Sequence, residues 1–359
     1  MIEQIAFAHF RGFEKLELTD MKPITLISGK NNAGKSSLLE GIFLFSDYFS
    51  TESFAKINRF RGISSSGDSA NLWETIFYQM DVQSPLQISV TFSGVPALLK
   101  YERADNFIPP ADINMPKEVM GQIISSAASS YTLKYTYQKE DYTEEGHFIA
   151  SPAGIVRSIT SRTDVSKHGL PMPVTQFINA AIMNSSSSNM IAEWLGKLEL
   201  DGRKQYIVEI LKLIEPAIND ISTIVINGNA QLFAKTGHQL LPLRLAGDGL
   251  NKLLFIVLSI AVNPHSVLLI DEIETGFHYS ILPSLWEIIA HTARDNSCQI
   301  IAATHSYECI AGAVDGVKKA GESSAFCYYR LDKNNTGSHV YRYSDDLLQM
   351  AVETDMEVR

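Results

Sequence analysis

The chain has 359 residues, 45% hydrophobic and 19% charged. That composition buries a sizeable core, and the length fits two domains or one large α/β domain with insertions. A formal net charge of −10 excludes a surface that attracts nucleic acid everywhere and leaves only a local basic cluster, with Lys56, Arg59 and Arg61 as one candidate.

The first expected elements form a β-hairpin. Ile2–Phe10 and Phe13–Leu18 both alternate apolar and polar residues, and Arg11-Gly12 joins them. The next run, Ile24–Ser28, is an apolar strand with Pro23 at its entry. Immediately after it comes Gly29-Lys30-Asn31-Asn32-Ala33-Gly34-Lys35-Ser36, which spells G-x-x-x-x-G-K-[ST]. Ser37-Leu38-Leu39-Glu40-Gly41-Ile42-Phe43 then has apolar residues at helical spacing, so the motif stands in the strand–loop–helix context that a phosphate-binding loop requires. Gly29 and Gly34 let the backbone curl until successive N–H groups, those of Asn31, Asn32, Ala33 and Ser37 among them, point at phosphate oxygens. The helix start adds its positive end. Lys35 reaches the β- and γ-phosphates, and the Ser36 hydroxyl is a ligand for Mg²⁺.

Residues 50–81 read as irregular. Leu86–Phe92 is a clean alternating strand, and further strands are expected over 132–138 and 147–150. Residues 108–130 read as a loop with a weak helix. Glu140, Asp141, Glu144 and Glu145 read as a solvated acidic hairpin. Helices are expected over 172–184, 190–198 and 203–214, the last closed by Pro216. A strand pair, 221–228 and 231–234, surrounds the turn Asn227-Gly228-Asn229. The remainder alternates strand and helix, the pattern of a parallel sheet.

Residues 266–272 form an apolar strand that ends in Asp271 and Glu272. A strand this apolar is buried on both faces, and its carboxyl end is where α/β sheets bind ligands. There Asp271 holds Mg²⁺ and Glu272 polarises the attacking water. A third strand, 299–305, ends in His305, placed to sense the γ-phosphate. Gly247-Asp248-Gly249 opens a strongly apolar helix, and a glycine pair at a helix start is a second phosphate site. The apolar run 253–262 is too short to cross a bilayer, the N-terminus shows no signal-peptide pattern, and Cys298, Cys309 and Cys327 form no C-x-x-C. A cytoplasmic, reducing setting is expected.

Taken in order, the P-loop, the Gly-rich helix start, Asp271-Glu272-Ile273-Glu274-Thr275-Gly276-Phe277-His278 and Thr304-His305-Ser306 resemble an ABC-type ATPase. With Phe10-Arg11-Gly12-Phe13 before the P-loop, the chain is similar to the RecF/SMC-like branch, and within it to AAA-type ATPases related to the OLD proteins. The resemblance implies an α/β ABC-ATPase head: a mixed or parallel P-loop sheet flanked by helices, an antiparallel β subdomain and a helical lobe. It implies one domain over 1–359, with an N-terminal part over 1–100, an inserted lobe over 101–235 and a signature-bearing part over 236–359. It implies ATP hydrolysis with Mg²⁺, Arg11 among the ATP contacts, Gln79 as a further metal ligand, and a homodimer that sandwiches ATP with Gly247, Asp248, Gly249 and Lys252 acting in trans. The family's signature often has serine where this chain has Ala246. The 54 residues after His305 are too few for the TOPRIM nuclease of OLD proteins, and no coiled-coil heptads are present. The expectation is therefore a stand-alone head that controls a separately encoded effector, a nuclease or toxin, in anti-phage defence, without a membrane partner. A RecF-like DNA-maintenance ATPase, a transporter nucleotide-binding subunit and a nuclease effector are the alternatives.

Overall fold

The computed structural model describes residues 1–62, 73–104, 132–151, 154–163, 173–179, 187–245, 247–334, 337–354 and 356–358. Its strands are β1 (Ile2–Phe10), β2 (Phe13–Leu18), β3 (Ile24–Ser28), β4 (Leu86–Phe92), β5 (Val95–Ala104), β6 (Thr132–Lys139), β7 (Tyr142–Ser151), β8 (Gly154–Arg162), β9 (Thr175–Ile178), β10 (Ile218–Ile226), β11 (Asn229–Thr236), β12 (Gln239–Pro242), β13 (Val267–Ile270), β14 (Gln299–Ala303), β15 (Phe326–Asn334) and β16 (Gly337–Tyr343). Its α-helices are α1 (Lys35–Ser46), α2 (Ser53–Phe60), α3 (Ser187–Leu200), α4 (Lys204–Ile214), α5 (Asp248–Val262), α6 (Leu282–Asp295), α7 (Tyr307–Lys319) and α8 (Asp345–Glu353).

The chain divides into two compact units, each assembled from discontinuous segments. The first takes Met1–Met21, Ser36–Pro173 and Asp332–Val340. It carries a seven-stranded sheet in the order β2-β1-β4-β5-β6-β7-β8, antiparallel at every pairing. The expected hairpin is present, with Phe10 opposite Phe13 and Arg11 in the left-handed region at φ 51°. Helix α1 buries nearly every residue from Ser37 onward. Gly41 makes that packing close, because a Cβ there would lie 2.3 Å from the Phe7 ring.

The second unit takes Lys22–Lys35, Val174–Leu331 and Tyr341–Arg359. Its main sheet runs β16-β15-β3-β14-β13-β9, with β15, β3, β14, β13 and β9 parallel. β3, β13 and β14 are buried at every residue, as a parallel sheet covered on both faces demands. A smaller antiparallel sheet, β10-β11-β12, belongs to the same unit. The core joins α3, α4, α5, α6 and α7 to the main sheet, with Trp286 and most of α5 fully enclosed.

Several expectations change. The helix expected over 172–184 is, where described, the strand β9, which pairs in parallel with β13 and sets Ile178 beside Ile270. Pairing at the sheet edge overrides the helical spacing of this short apolar run. Its residues 180–184, and all of 108–130, lie outside the described residues. Helix α2 falls in the segment read as irregular, and β5, β8, β12, β15 and β16 were not anticipated. Glu144 is not solvated but 2% exposed, held among tyrosines and arginines. The lobe expected over 101–235 is shared between the units, which divide it near Pro173.

Candidate nucleotide-binding site

The register of the main sheet lines up three strand ends. Ile27 on β3 sits beside Ala303 on β14, and Ala302 sits beside Ile270 on β13. The P-loop, the Asp271-Glu272 pair and Thr304-His305 therefore leave the sheet from adjacent carboxyl ends, the ligand-binding edge of such sheets. Backbone bonds hold the ends in place: Thr304 N donates to Ile27 O at 2.9 Å, Ile273 N to Ala303 O at 3.1 Å and Asp271 N to Ile178 O at 2.9 Å.

In the loop, Asn32 and Gly34 take left-handed φ of 65° and 108°, which turns the chain into α1 at Lys35. Asn31 and Asn32 are exposed and Ala33 is buried. Lys35 Nζ folds across its own loop and donates to Gly29 O at 2.6 Å and Lys30 O at 3.1 Å. Burial lowers its pKa, and the charges of Asp271, Glu274 and Glu272 act in the opposite direction. Phosphate oxygens are stronger acceptors than the carbonyls now holding the ammonium, so a nucleotide can draw it out.

Glu272 is exposed and left-handed, at φ 48°. Such a conformation in a non-glycine residue costs about 1 kcal/mol or more and persists only where the surroundings impose it. Here they do. Glu272 N donates to Asp271 Oδ1 at 3.1 Å, and Lys252 Nζ donates to Glu272 O at 2.6 Å and to Thr275 O at 3.2 Å. Lys252 is buried, and that burial pulls its pKa down to about 8 against the charges of Glu274 and Glu272.

His305 is half-exposed and is held by Glu274, whose Oε1 accepts from His305 N at 3.0 Å and lies 2.8 Å from Nδ1. Ser306 caps α7 by accepting from Cys309 N at 3.1 Å. Gly247 caps α5 with φ 99°, and nothing lies within 4 Å of where a Cβ would stand. Gly249, two residues further on, packs so closely that its Cβ would meet Gly276 O at 2.5 Å.

A family profile described as "AAA domain, putative AbiEii toxin, Type IV TA system" matches residues 124–311, just over half of the chain. The chain belongs to this AAA family. A second profile, described as "AAA ATPase domain", matches residues 1–168. The chain is 25% identical over 361 residues to an "ATP/GTP phosphatase" of Helicobacter pylori, covering 93% of this chain and 94% of that protein. It is also 51% identical over 45 residues to an uncharacterised protein of Methanocaldococcus jannaschii, covering 12% of this chain and 20% of that one. Among solved structures it resembles an SMC head bound to the C-terminal winged-helix domain of ScpA, at TM-score 0.52 and 14% identity, covering 96% of this chain and 98% of that one. It also resembles an SMC head with an extended coiled coil bound to the C-terminal domain of ScpA derived from Pyrococcus furiosus, at TM-score 0.52 and 11% identity, covering 99% of both chains. The protein is thus an ATPase of the AAA group, with the fold of an SMC head.

Within this AAA domain, the expected site residues separate. Lys35, Asp271, Glu272, Glu274 and His305 converge at neighbouring strand ends of the second unit, as the register and charge couplings describe. Three of the expected residues have other partners in this chain. The Lys252 ammonium donates to the Glu272–Thr275 turn. Arg11 is spent inside the first unit, with its side chain 6% exposed, Nη1 on Thr75 O at 3.1 Å and Nε 3.2 Å from Glu40. Gln79 is exposed in the same unit at φ 51°, and its amide donates to the Tyr78 hydroxyl, so nothing supports it as a metal ligand. Ala246 lies outside the described residues.

The basic cluster is largely occupied too. Lys56 pairs with Asp47 at 3.3 Å, while Arg61 grips Glu40 at 2.7 Å and donates to Ser37 Oγ at 2.8 Å. Sequence reasoning assigned no contact to Glu274. The signal was present in the Glu-x-Glu pattern after an apolar strand, but only the fold places its oxygen on His305.

Proposed function

We propose that this ATPase is a nucleotide-gated switch in which two copies close head-to-tail around ATP and reopen on hydrolysis. The observation that carries the reading is Gly247. The helix α5 begins there with a backbone that only glycine adopts readily, with open space where a side chain would be and no side-chain cap on its first N–H groups. A helix start of this kind suits the phosphate of a nucleotide held by the P-loop of a second copy. Gly247 and Asp248 then act across the interface, and Gly249 is packed against Gly276 of its own chain.

Each site works through the same steps. Loop amides from Asn31 to Ser37 cradle the phosphates, and Lys35 moves from the loop carbonyls to the β- and γ-phosphates. Among the described residues no group of three or more His, Cys, Asp or Glu could hold a metal ion. That fits Mg²⁺, which binds through one or two protein ligands and completes its shell with phosphate and water. Ser36 and Asp271 would hold the ion, which would supply charge neutralisation on the phosphates. Glu272 orients the attacking water, on a left-handed backbone pinned by Lys252.

The relative's printed name extends the substrate class to ATP or GTP, and the family's description names a toxin of a toxin–antitoxin system. We place the switch accordingly in the cytoplasm of a bacterium, controlling a separately encoded effector in anti-phage defence. No helix among the described residues is long and apolar enough to cross a membrane.

The test is Glu272→Gln. It retains Ser36, Asp271 and Lys35, so Mg²⁺-ATP binding survives, whereas turnover falls by about 10²–10⁴-fold because the amide cannot accept a proton. Light scattering then shows ATP-dependent doubling of mass, and cross-linking traps the closed pair. Normal turnover in the variant removes Glu272 from catalysis, and an inactive variant that stays monomeric with ATP sinks the sandwich.

A further inference from the structure

The P-loop is tied through buried hydroxyls to a distant segment of the second unit. Ser28 ends β3 and immediately precedes Gly29. Its hydroxyl is hydrogen-bonded to the hydroxyl of Tyr328 on β15. The Tyr328 hydroxyl also donates to Val358 O at 2.7 Å. Ser28, Tyr328 and Val358 are 0%, 1% and 1% exposed. A hydroxyl that loses its partner there has no solvent to turn to.

The acceptors fix the order of the protons. A backbone carbonyl only accepts, so Tyr328 gives its single proton to Val358 O. Burial pushes the Tyr328 hydroxyl above its usual range, which keeps that proton in place. The Tyr328 oxygen must then accept from Ser28, and the Ser28 proton is committed to Tyr328.

β15 also meets the loop directly. Arg330 lies opposite Ser28 in the parallel pairing with β3, and a Cβ on Gly29 would overlap the Leu331 carbonyl. Gly29 O accepts from Lys35 Nζ at 2.6 Å. The Ser28–Gly29 peptide thus stands between the Tyr328 hydroxyl and the Lys35 ammonium, and a shift of Ser28 moves the carbonyl that holds Lys35. At the far end, Met356 and Glu357 are exposed, Met356 N donates to Ala351 O at 2.8 Å, and Val358 belongs to the core.

We propose that Tyr328 is a positioning residue for ATP binding, which couples the docking of Met356–Val358 to the P-loop through Ser28. A loop ordered in advance gives up less freedom when phosphates arrive, so the docked segment raises nucleotide affinity. The coupling rests on the reading of the P-loop and Lys35 as the nucleotide site. It makes residues 356–358 a handle on that site from outside it.

The experiment measures kcat for ATP, and the dissociation constant of the β,γ-imido analogue of ATP with Mg²⁺, for the wild type, Tyr328→Phe, Val358→Asp and the double variant. Phenylalanine keeps the ring beside Tyr343, 5.3 Å away, and removes only the hydroxyl. Aspartate at Val358 puts a charge into the core and so releases the segment. Each single variant is expected to raise the dissociation constant about fivefold, the weight of one hydrogen bond, with kcat changed by about twofold or less. The double variant is expected to match the single ones, because both cut the same relay. By reciprocity, the analogue slows hydrogen exchange at the Met356 and Val358 amides in the wild type and not in Tyr328→Phe.

An affinity unmoved in either single variant, whatever its melting temperature, leaves the hydroxyls a role in the core alone and overturns the proposal. Losses that multiply in the double variant, or exchange slowed equally in Tyr328→Phe, overturn it too. A Lys35→Ala protein that binds the analogue as the wild type does instead overturns the reading of the P-loop beneath it. Where Val358→Asp does not fold, Val358→Ala loosens the same anchor and takes its place, with a smaller shift in the same direction expected.

Discussion

Glu144 in the first unit and Glu274 in the second are both enclosed carboxylates, and they are treated in opposite ways. Glu144 is saturated. Tyr135 donates to it at 3.0 Å and Tyr142 at 2.8 Å, Arg162 lies at 3.4 Å, and Arg157 closes on the same oxygen as Tyr135. The arginines are tied in turn to the tyrosine hydroxyls, at 2.9 Å and 3.0 Å, and Arg157 lies 5.1 Å over the Tyr135 ring. Glu274 leaves one oxygen unpaired and spends the other on a half-exposed histidine. A polar group closed on every side fixes a sheet, whereas one left partly open keeps free energy available for a ligand.

The largest effect that tests this contrast is expected at Glu144. Glu144→Gln leaves the part-buried Arg157 and the exposed Arg162 facing a neutral group, and losing charge-assisted bonds of this kind costs about 1.5–3 kcal/mol. The measurement is urea unfolding. A loss below about 1 kcal/mol shows that the network is solvated and that the two carboxylates do not differ in kind. The same variant, once folded, should turn over ATP normally, whereas Glu274→Gln should show the reverse pattern.

The two units should also separate by pH. Burial pulls His147, on β7 of the first unit, from 6.5 down to about 4. Between those values the unfolded chain binds a proton that the folded chain refuses, so stability falls as pH drops from 6.5 towards 4. Lys252 in the second unit is pulled from 10.5 down to about 8. Its buried ammonium is a constant cost below pH 8, and stability rises as pH climbs from 8 towards 10.5. His147→Gln should flatten the acid slope and Lys252→Met the alkaline one, each by about 2 kcal/mol across its window. Unchanged slopes in the variants assign the pH dependence to other groups.

The sequence disclosed the second unit far better than the first, for a physical reason. Parallel strands covered on both faces read as unbroken apolar runs, and their ligands sit at the ends of those runs. Ile24–Ser28, the strand before Asp271 and the strand before His305 were therefore legible with their functional residues attached. β9 was not, because four residues at a sheet edge carry too little pattern to compete with helical spacing. The antiparallel sheet was partly legible. β1, β2 and β4 alternate cleanly, but β8, rich in polar residues, does not announce itself. The partners of Arg11 and Lys252 were not legible, because a motif gives a residue's neighbours along the chain, whereas a side chain chooses its partner in space. Lys252 finds two carbonyls of the Glu272–Thr275 turn, and Arg11 finds Glu40, contacts separated by twenty or more residues.

The contrast between closed and open groups repeats on a smaller scale at the two glycines that begin α5. Gly249 is closed in: a methyl group there meets the carbonyl of Gly276 at 2.5 Å and the Phe277 ring at 3.1 Å, and the carbonyl cannot swing aside. Gly249→Ala should lower stability by about 2 kcal/mol, the cost of forcing extra volume into a packed site. It should also loosen the Glu272–Phe277 turn and so reduce turnover without nucleotide-dependent changes in mass being lost first. Gly247 is open: a methyl group meets nothing, and the cost is the backbone alone, at φ 99° and ψ 151°. That strain is worth about 1 kcal/mol where the helix start can rotate to relieve it. Relief would turn the first N–H groups away from their present direction, so Gly247→Ala should weaken ATP-dependent association more than it weakens the fold. Melting temperature and light scattering with ATP, measured on both variants, give a crossed pattern if Gly249 serves its own chain and Gly247 a partner. Equal losses of stability and of association in the two variants would assign both glycines to the fold, and the helix start would no longer distinguish an inner from an outer face.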